Sequence, residues 1–189
     1  MSETVGEIPW QVVRGGSERQ HSVLNAVRLV DAATDLVLVH DGARPFAEPA
    51  AIRQSLEVAA EFGAAGVAVP VKDTIKMADD SAIVLKTLDR STLWQIQTPQ
   101  TFQRKVLLDA HEQAAAAGML ATDDAALVEW AGGSVRLIRG STFNFKVTTP
   151  EDVLLAEAIA AGGKGQSMQR VGIGYDVHRF VVGRPLMLG

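Results

Sequence analysis

An acidic and a basic residue follow an apolar run in the first third of the chain. Residues 36–46 read LVLVHDGARPF, so Asp41 and Arg44 stand where the apolar residues end. A buried parallel strand that ends in polar residues places them at the carboxyl edge of its sheet, where open α/β folds bind ligands. Asp41 and Arg44 are therefore candidate functional residues. An ordinary strand exit with a solvated acid explains the segment equally well.

A glycine-rich junction is the second candidate. Residues 14–22, RGGSERQHS, lie between a predicted strand and a predicted helix, and Ser17 is placed to cap that helix. Free N–H groups at such a junction can bind an anion or the edge of a base. Helix capping is the more common role of a loop of this kind.

Hydroxyl and guanidinium groups stand in further predicted loops, at Thr74, Arg90 and Thr98. We expect Thr98 in a polar turn over residues 98–102, ahead of a helix. Together such groups suit phosphates and polyols, because Arg offers a planar fork and Thr a short donor. Each alone is more typical of a turn. Thr122, in the sequence ATDD, fits a helix cap.

Lys146 lies among aromatic and β-branched residues in the sequence FNFKVTTPED, residues 143–152. Its stem can pack there while its ammonium group reaches the ligand at the sheet edge, which favours a functional role. Near the end of the chain, Asp176 and His178 are spaced so that both could ligate one divalent metal from a strand. Two ligands do not complete a metal site. No comparable partner in sequence stands near His21, His40 or His111.

The elements that must position these residues alternate between apolar runs and amphipathic segments, as in βα units. The predicted strands are residues 10–13, 36–40, 66–70 and 135–138. The predicted helices are residues 18–33, 48–62, 103–117, 123–130 and 151–161. Right-handed crossovers then place helices on both faces of a mainly parallel sheet. Residues 71–93 break this rhythm with two short strands around a turn, which predicts a projecting β-hairpin arm that a partner subunit covers.

Composition and charge exclude several classes of protein. The 189 residues are 47% hydrophobic and 21% charged, which is typical of a globular domain. A net charge of −4 argues against a nucleic-acid surface, and the lack of cysteine excludes disulfides. No apolar run is long enough for a membrane span and the first residues do not form a signal peptide, so we expect a cytoplasmic protein.

Seven segments in order resemble the 2-C-methyl-D-erythritol 4-phosphate cytidylyltransferases of non-mevalonate isoprenoid synthesis. They are GGSERQHSV, VLVHDGARP, VPVKDTIK, LDRSTLW, QTPQTF, TDDAALVE and NFKVTTPEDVLLAE, between about Trp10 and Ala161. The resemblance implies a Rossmann-like nucleotidyltransferase sheet. It also implies transfer of CMP from CTP to methylerythritol phosphate with release of pyrophosphate, assisted by Mg²⁺.

The resemblance also implies roles for particular residues. Gly16, Ser17, Ser22 and Asp41 would bind the nucleotide, Asp41 through a contact to a metal or a hydroxyl group. The methylerythritol phosphate would be held by Arg44, Thr98, Thr122 and Lys146 of one subunit and by Thr74 and Arg90 from the arm of a partner. Catalysis would rest on Lys146, Arg90 and Asp41. A homodimer through the arm is implied.

The last 20 or so residues, RVGIGYDVHRFVVGRPLMLG, resemble the start of 2-C-methyl-D-erythritol 2,4-cyclodiphosphate synthases. We therefore expect a partial cytidylyltransferase domain over residues 1–161, a linker over 162–168 and the opening of a truncated synthase over 169–189, as in a bifunctional enzyme. An intact synthase would hold Zn²⁺ or Mn²⁺ and form trimers; Asp176 and His178 would be part of that site.

The resemblance implies an earlier strand and a basic glycine-rich loop that embrace the triphosphate, and we expect this chain to lack that N-terminal βα portion. We therefore expect little activity from the chain alone. Two alternatives stay open at this point: another sugar-nucleotide pyrophosphorylase, or a non-catalytic binding or dimerisation module.

Overall fold

The computed structural model describes residues 11–162. The predictions for Trp10, for most of the linker and for Asp176 and His178 lie outside this part of the chain. Its helices are α1 (Arg19–Leu29), α2 (Pro49–Phe62), α3 (Arg104–Ala117), α4 (Asp124–Trp130) and α5 (Pro150–Gly162). Its strands are β1 (Leu36–Val39), β2 (Ala64–Pro70), β3 (Lys76–Ala78), β4 (Val84–Thr87), β5 (Trp94–Gln103) and β6 (Arg136–Arg139).

Four strands form the main sheet, in the order β1-β5-β2-β6. β5 pairs antiparallel with both β1 and β2, whereas β2 and β6 pair in parallel. β1, β2 and β6 therefore run in the same direction, and the prediction of a mainly parallel α/β sheet is confirmed. Their carboxyl ends lie at one edge, where the first half of β5 also lies.

The central strand β5 contradicts the prediction of a polar turn over residues 98–102. Its sequence, WQIQTPQTFQ, is mostly polar and contains Pro99, and both features argue against a central strand. Side-chain hydrogen bonds compensate the buried polar groups: Thr101 Oγ1 lies 2.8 Å from Ser55 Oγ, and Gln100 Nε2 donates to Asp123 Oδ2 at 2.7 Å. The sheet therefore tolerates a polar strand at its centre.

Helices cover both faces of the sheet. One face packs against α1, α3 and α4, in a core that includes Val27, Phe102, Leu107 and Leu127. The other face packs against α2, where Ala59 contacts the sheet in a smaller cluster. Small residues in β2 (AAGVAVP) keep the helices on both faces close to the sheet, and six of its seven residues are buried.

The start of the described chain differs from the predictions at two points. Residues 11–13 form no strand. Glu18, rather than Ser17, is the N-cap residue of α1, and it makes no side-chain capping hydrogen bond. Ser17 Oγ instead lies 2.9 Å from His21 Nδ1. The helix also ends at Leu29, earlier than predicted, because Asp31 accepts hydrogen bonds from the N–H groups of Ala33 and Thr34 in a turn.

The other helices lie where the sequence predicts them, and their ends follow known capping rules. Asp123 caps α4 by accepting a hydrogen bond from Ala126 N, and Gly118 ends α3 in the left-handed conformation (φ +65°). At α5, Thr149 and Asp152 bond reciprocally, as in a capping box. Hydrogen bonds from the N–H groups of Thr148 and Thr149 hold the pKa of the Asp152 carboxyl below its ordinary value.

The β-hairpin is confirmed. β3 and β4 pair antiparallel in a two-stranded sheet of their own, and Asp79 accepts hydrogen bonds from the N–H groups of Ser81 and Ile83 in the turn. The hairpin leaves the main sheet after β2 and returns to it at β5, so it projects from the edge that holds the carboxyl ends. Within residues 11–162, no helix combines the length and apolar character of a membrane span.

Candidate active site at the carboxyl edge

Three charged side chains meet at the end of β1. Asp41 Oδ2 lies 3.2 Å from Arg44 Nε and 3.4 Å from Lys146 Nζ. The side chains of Asp41 and Arg44 are mostly buried, at 16% and 13% exposed, whereas that of Lys146 is 37% exposed. One carboxylate balances only one of the two cations, so the cluster carries a net positive charge. It can therefore attract an anion at the sheet edge.

A chain of hydrogen bonds fixes the loop that carries Asp41. Thr98 Oγ1, on β5, accepts from Asp41 N at 3.0 Å and lies 2.9 Å from His40 Nδ1. His40 Nε2 lies 3.1 Å from the Arg44 carbonyl oxygen. All three contacts are satisfied when the Thr98 hydroxyl donates to His40 Nδ1 and the His40 Nε2–H group donates to the Arg44 carbonyl oxygen. Thr98 thus positions Asp41 from the neighbouring strand.

The segment after β6 binds the same loop. Arg44 Nη1 donates to the Asn144 carbonyl oxygen at 2.8 Å, and Val147 N donates to the Ala43 carbonyl at 2.8 Å. The buried Asn144 side chain donates to the Thr98 carbonyl oxygen at 2.8 Å. These bonds bring Lys146, far along the chain, next to Asp41.

The glycine-rich junction is folded tightly onto α1. Gly16 N donates to Ser22 Oγ at 3.0 Å, and Ser22 Oγ donates to the Glu18 carbonyl at 3.2 Å. A Cβ atom on Gly16 would lie 2.3 Å from His21 Cβ, so only glycine fits there. Ser22 therefore shapes the loop through its side chain, while the Gly16 and Ser17 positions are exposed to solvent.

Within residues 11–162, the remaining predicted site residues, Thr74, Arg90 and Thr122, are exposed, and the single chain does not join them to the charged cluster. Thr122 lies between α3 and α4. At the base of the hairpin, Thr74 is exposed and Arg90 donates to the Lys72 carbonyl oxygen at 2.7 Å. Within the described part of the chain, neither Thr74 nor Arg90 forms a hydrogen bond or ion pair with Asp41.

Sequence reasoning missed a buried ionic network beside the Thr122 segment. Asp124 is fully buried and lies 2.8 Å from Arg19 Nη2 and 2.9 Å from His111 Nε2. Burial raises the pKa of Asp124, but the hydrogen bond from His111 and the charge of Arg19 outweigh this effect, so the pKa lies below its ordinary value. His111 thus has an acidic partner, Asp124, on another helix, which its neighbours in sequence do not indicate.

The side chains at the site offer few ligands for a metal ion. Within residues 11–162, no group of three or more His, Asp or Glu side chains is placed to hold a metal ion. Mg²⁺ in nucleotide enzymes commonly uses one or two carboxylates together with phosphate oxygens and water. The single carboxylate of Asp41 fits an ion that arrives with a nucleotide triphosphate, but not a metal site formed by protein alone.

A second cleft, of about 550 Å³, lies at the opposite edge of the sheet. It is lined by residues at the start of β1 and around the start of α3, including Asp35, Arg104 and Lys105. None of the predicted site residues within the described part of the chain lines it.

Comparison with known proteins shows the family of this chain. A family model described as IspD: 2-C-methyl-D-erythritol 4-phosphate cytidylyltransferase matches residues 2–162. The chain belongs to this family. A cytidylyltransferase of Bacillus licheniformis is 52% identical over 156 residues, which is 82% of this chain and 67% of that protein. The match to the family model therefore covers all of the described residues.

Solved structures of the cytidylyltransferase family share the fold. The crystal structure of the cytidylyltransferase from Thermus thermophilus superimposes with a TM-score of 0.72 at 38% identity, covering 82% of this chain and 78% of that one. The prediction of an α/β nucleotidyltransferase sheet is thus confirmed.

A bifunctional relative is also similar. The "Bifunctional enzyme IspD/IspF" of Desulforudis audaxviator is 47% identical over 178 residues, 94% of this chain and 44% of that protein. Against the relatives named only as cytidylyltransferases, the chain spans 63–67% of their length.

Proposed function

We propose that this chain is the cytidylyltransferase part of an enzyme that transfers CMP from CTP to 2-C-methyl-D-erythritol 4-phosphate. The observation that carries the proposal is the positively charged cluster of Asp41, Arg44 and Lys146 at the edge of a cytidylyltransferase fold. Both substrates are phosphate esters. Two cations that share one carboxylate can bind a phosphate without a large change in structure, because the carboxylate already orients them.

In the proposed reaction, a phosphate oxygen of methylerythritol phosphate attacks the α-phosphorus of CTP. A new P–O bond forms as the bond from the α-phosphorus to the bridging oxygen breaks, and pyrophosphate leaves with that electron pair. No nucleophile from the protein is needed, so catalysis consists of positioning and charge stabilisation. Arg44 and Lys146 are suited to hold the attacking phosphate, and Asp41 keeps both cations aligned.

The proposed nucleotide contacts come from the glycine-rich junction. Gly16 and Ser17 are exposed and offer backbone groups to the base and ribose, while the hydroxyl of Ser22 is already bonded to Gly16 N. We assign Ser22 to shaping this loop. Mg²⁺, bound with the triphosphate next to Asp41, would neutralise charge on the phosphates.

The proposed substrate contacts come from both subunits of a homodimer. Thr98, Thr122, Arg44 and Lys146 belong to one subunit, and Thr74 and Arg90 are supplied by the arm of the partner. Support comes from the exposed apolar side chains of the hairpin, with Ile83 at 63% and Leu85 at 60% exposed. A two-stranded sheet is marginal alone and needs a covering surface.

We also propose that the chain derives from a bifunctional arrangement, with domain bounds at 1–161, 162–168 and 169–189. Support comes from the match to the bifunctional relative, which covers 178 residues. A match of that length has to extend beyond residue 162, where the match to the family model ends. In that arrangement Asp176 and His178 would be ligands of Zn²⁺ or Mn²⁺, and trimeric contacts would form through a complete synthase. A cytoplasmic location and low activity of the chain alone stay predictions.

Binding of the two substrates tests the proposal directly. Calorimetry with CTP and Mg²⁺, and separately with methylerythritol phosphate, is expected to give saturable binding, and pyrophosphate release is then measured with both present. Lys146→Ala and Asp41→Asn are expected to weaken binding of methylerythritol phosphate. The matched control Lys105→Ala removes an exposed lysine paired with Asp109 on α3 and is expected to bind normally.

Other outcomes of the same experiment contradict the proposal. Binding of a different sugar phosphate in preference to methylerythritol phosphate indicates another pyrophosphorylase. Dimerisation without binding of either substrate indicates a non-catalytic module.

A further inference from the structure

Two adjacent residues at the start of α1 hold a distant segment that connects α3 to the first residue of α4. We propose that Arg19 and Gln20 are positioning residues that keep the nucleotide loop (residues 14–18) and the substrate segment (residues 119–124) in one fixed arrangement. The names of the two segments rest on the proposed function. The coupling between them is a property of the unliganded protein and is tested as such.

Gln20 binds the substrate segment through both ends of its side-chain amide. Nε2 donates to the Met119 carbonyl oxygen at 3.0 Å, and Oε1 accepts from Ala121 N at 2.9 Å. The side chain is buried, so these backbone groups have little access to water as an alternative partner. Met119 and Ala121 lie in neither a helix nor a strand. The Gln20 side chain therefore supplies the hydrogen-bond partners that a neighbouring strand or helical turn would otherwise provide.

Arg19 holds the far end of the same segment through Asp124. The Asp124 carboxylate accepts from Arg19 on one oxygen and from His111 on the other, which joins α1, α3 and α4. Among residues 11–162, the buried His111 Nδ1 has no hydrogen-bond partner, so a ring with its proton on Nε2 leaves no buried N–H group of His111 unpaired there. The segment is therefore bound to α1 at both of its ends.

The opposite side of the segment is bound to the central strand. Gln100 donates to Asp123 Oδ2 at 2.7 Å and accepts from Ala125 N at 3.0 Å. With α1 on one side and β5 on the other, residues 119–125 cannot shift without breaking several buried hydrogen bonds. The position of the exposed Thr122 is thereby fixed from within the protein.

The nucleotide loop depends on the same first turn of α1. Ser22, two residues beyond Gln20, bonds Gly16 N, and Asn25 Nδ2 donates to the Arg14 carbonyl oxygen at 3.2 Å. A shift of this turn therefore moves the nucleotide loop together with Arg19 and Gln20. The two proposed binding segments are coupled through one helical turn rather than through the sheet.

Amide hydrogen exchange on the unliganded chain tests this coupling from both sides. Gln20→Met keeps the side-chain volume but loses both hydrogen bonds, and it is expected to speed exchange in residues 119–123 by roughly tenfold or more. Gln20→Glu keeps the acceptor for Ala121 N but turns a carboxylate oxygen toward the Met119 carbonyl oxygen, so it is expected to speed exchange at least as much as Gln20→Met does. Gln103→Met, which removes one hydrogen bond to the Ala60 carbonyl at the other end of β5, is the matched control and is expected to leave both segments unchanged.

Asp124→Asn tests the opposite direction, from the substrate segment to the nucleotide loop. It is expected to speed exchange at Gly16 and its neighbours, although no contact of Asp124 lies there, while exchange in β2 reports any global loss of stability. Should this variant not fold, Arg19→Gln replaces it, because Asp124 then keeps His111. An effect that stops at α4, or equal acceleration in β2, would overturn the proposal.

Ligand binding then separates coupling from the proposed function. CTP is expected to slow exchange in residues 119–123 of the parent chain and to do so less in Gln20→Met. If CTP changes exchange nowhere, the proposed nucleotide site is wrong, and the reciprocal effects in the unliganded variants still decide the coupling. If CTP protects only residues 14–22, the coupling is wrong and the nucleotide site stands.

Discussion

The ammonium nitrogen of Lys146 lies 3.4 Å from Oδ2 of Asp41, although the loop after β1 supplies one residue and the segment after β6 supplies the other. This contact joins the first and last strands of the main sheet, which are not neighbours in it. Asn144 makes the approach possible, because its buried amide group bonds to Thr98 on the intervening strand β5. The charged cluster is therefore a product of the topology and not of one local motif.

Replacement of Lys146 distinguishes a binding role from a packing role. If its ammonium group holds the substrate phosphate, Lys146→Ala is expected to weaken binding of methylerythritol phosphate by about 1.5–3 kcal/mol, the range for hydrogen bonds to charged groups. Lys146→Arg is expected to restore binding only in part, since a planar fork replaces a compact charge. Calorimetry and thermal unfolding are measured on both variants and on Lys105→Ala. Normal binding with a lower melting temperature assigns Lys146 to packing.

The hairpin is expected to form the subunit contact. Leu85→Asp places a charge on an exposed apolar strand, and a charge buried without a partner in the interface is costly, so the dimer is expected to dissociate to monomers by light scattering. Leu29→Asp, at a similarly exposed leucine at the end of α1, is the control and is expected to leave the mass unchanged. A parent chain that is monomeric at high concentration contradicts the proposal.

Local patterns were sufficient to predict part of the fold. Local sequence alone predicts the apolar strand β2 and the amphipathic helices α2 and α3. It also predicts the hairpin with its turn at Asp79. The end of an apolar strand predicts Asp41 and Arg44 as site residues, and the aromatic and β-branched neighbours of Lys146 predict that its ammonium group reaches the same edge. The structure brings these three side chains together.

Long-range compensation explains what the sequence did not predict. β5 is mostly polar and contains Pro99, and its buried amide and hydroxyl groups find partners on α2 and at the start of α4. The pairing of Asp124 with Arg19 and His111 likewise joins three helices. No local spacing marks such contacts, because each partner by itself resembles an ordinary helix residue.

Acid is expected to destabilise the fold through Asp124. Its pKa is lowered in the folded protein, so its contribution to stability is complete above the ordinary pKa of an aspartate and is lost as the pH falls through the lower folded value. Asp124→Asn is therefore expected to lower the free energy of unfolding near pH 7 by about 3 kcal/mol, as when one partner of a buried ion pair is removed. Between about pH 5 and pH 3, the free energy of unfolding of Asp124→Asn is expected to fall less than that of the parent chain.

Urea unfolding as a function of pH measures this effect. Asp109→Asn removes a carboxylate from an exposed pair with Lys105 and is the control, with an expected change below about 1 kcal/mol. If the free energy of unfolding changes with pH by the same amount in the parent and in Asp124→Asn, Asp124 is not the source of the acid sensitivity.

Gly16 is expected to tolerate no side chain. A Cβ atom there would lie 2.3 Å from His21 Cβ, which is part of α1, so Gly16→Ala has to displace the loop and break the bond from Gly16 N to Ser22 Oγ. We expect weaker CTP binding by roughly tenfold or more, since a hydrogen bond that shapes the loop is lost together with the backbone position. Stability is expected to change less than binding, because the loop is exposed.

Gly42→Ala provides the contrast for Gly16→Ala. No atom of the described residues lies within 4 Å of a Cβ atom at Gly42, so this variant is expected to change the free energy of unfolding by less than about 0.5 kcal/mol. Calorimetry with CTP and urea unfolding are measured on both variants. If Gly16→Ala binds CTP as tightly as the parent chain does, the close approach of this loop to α1 plays no part in nucleotide binding, and the loop loses its proposed role.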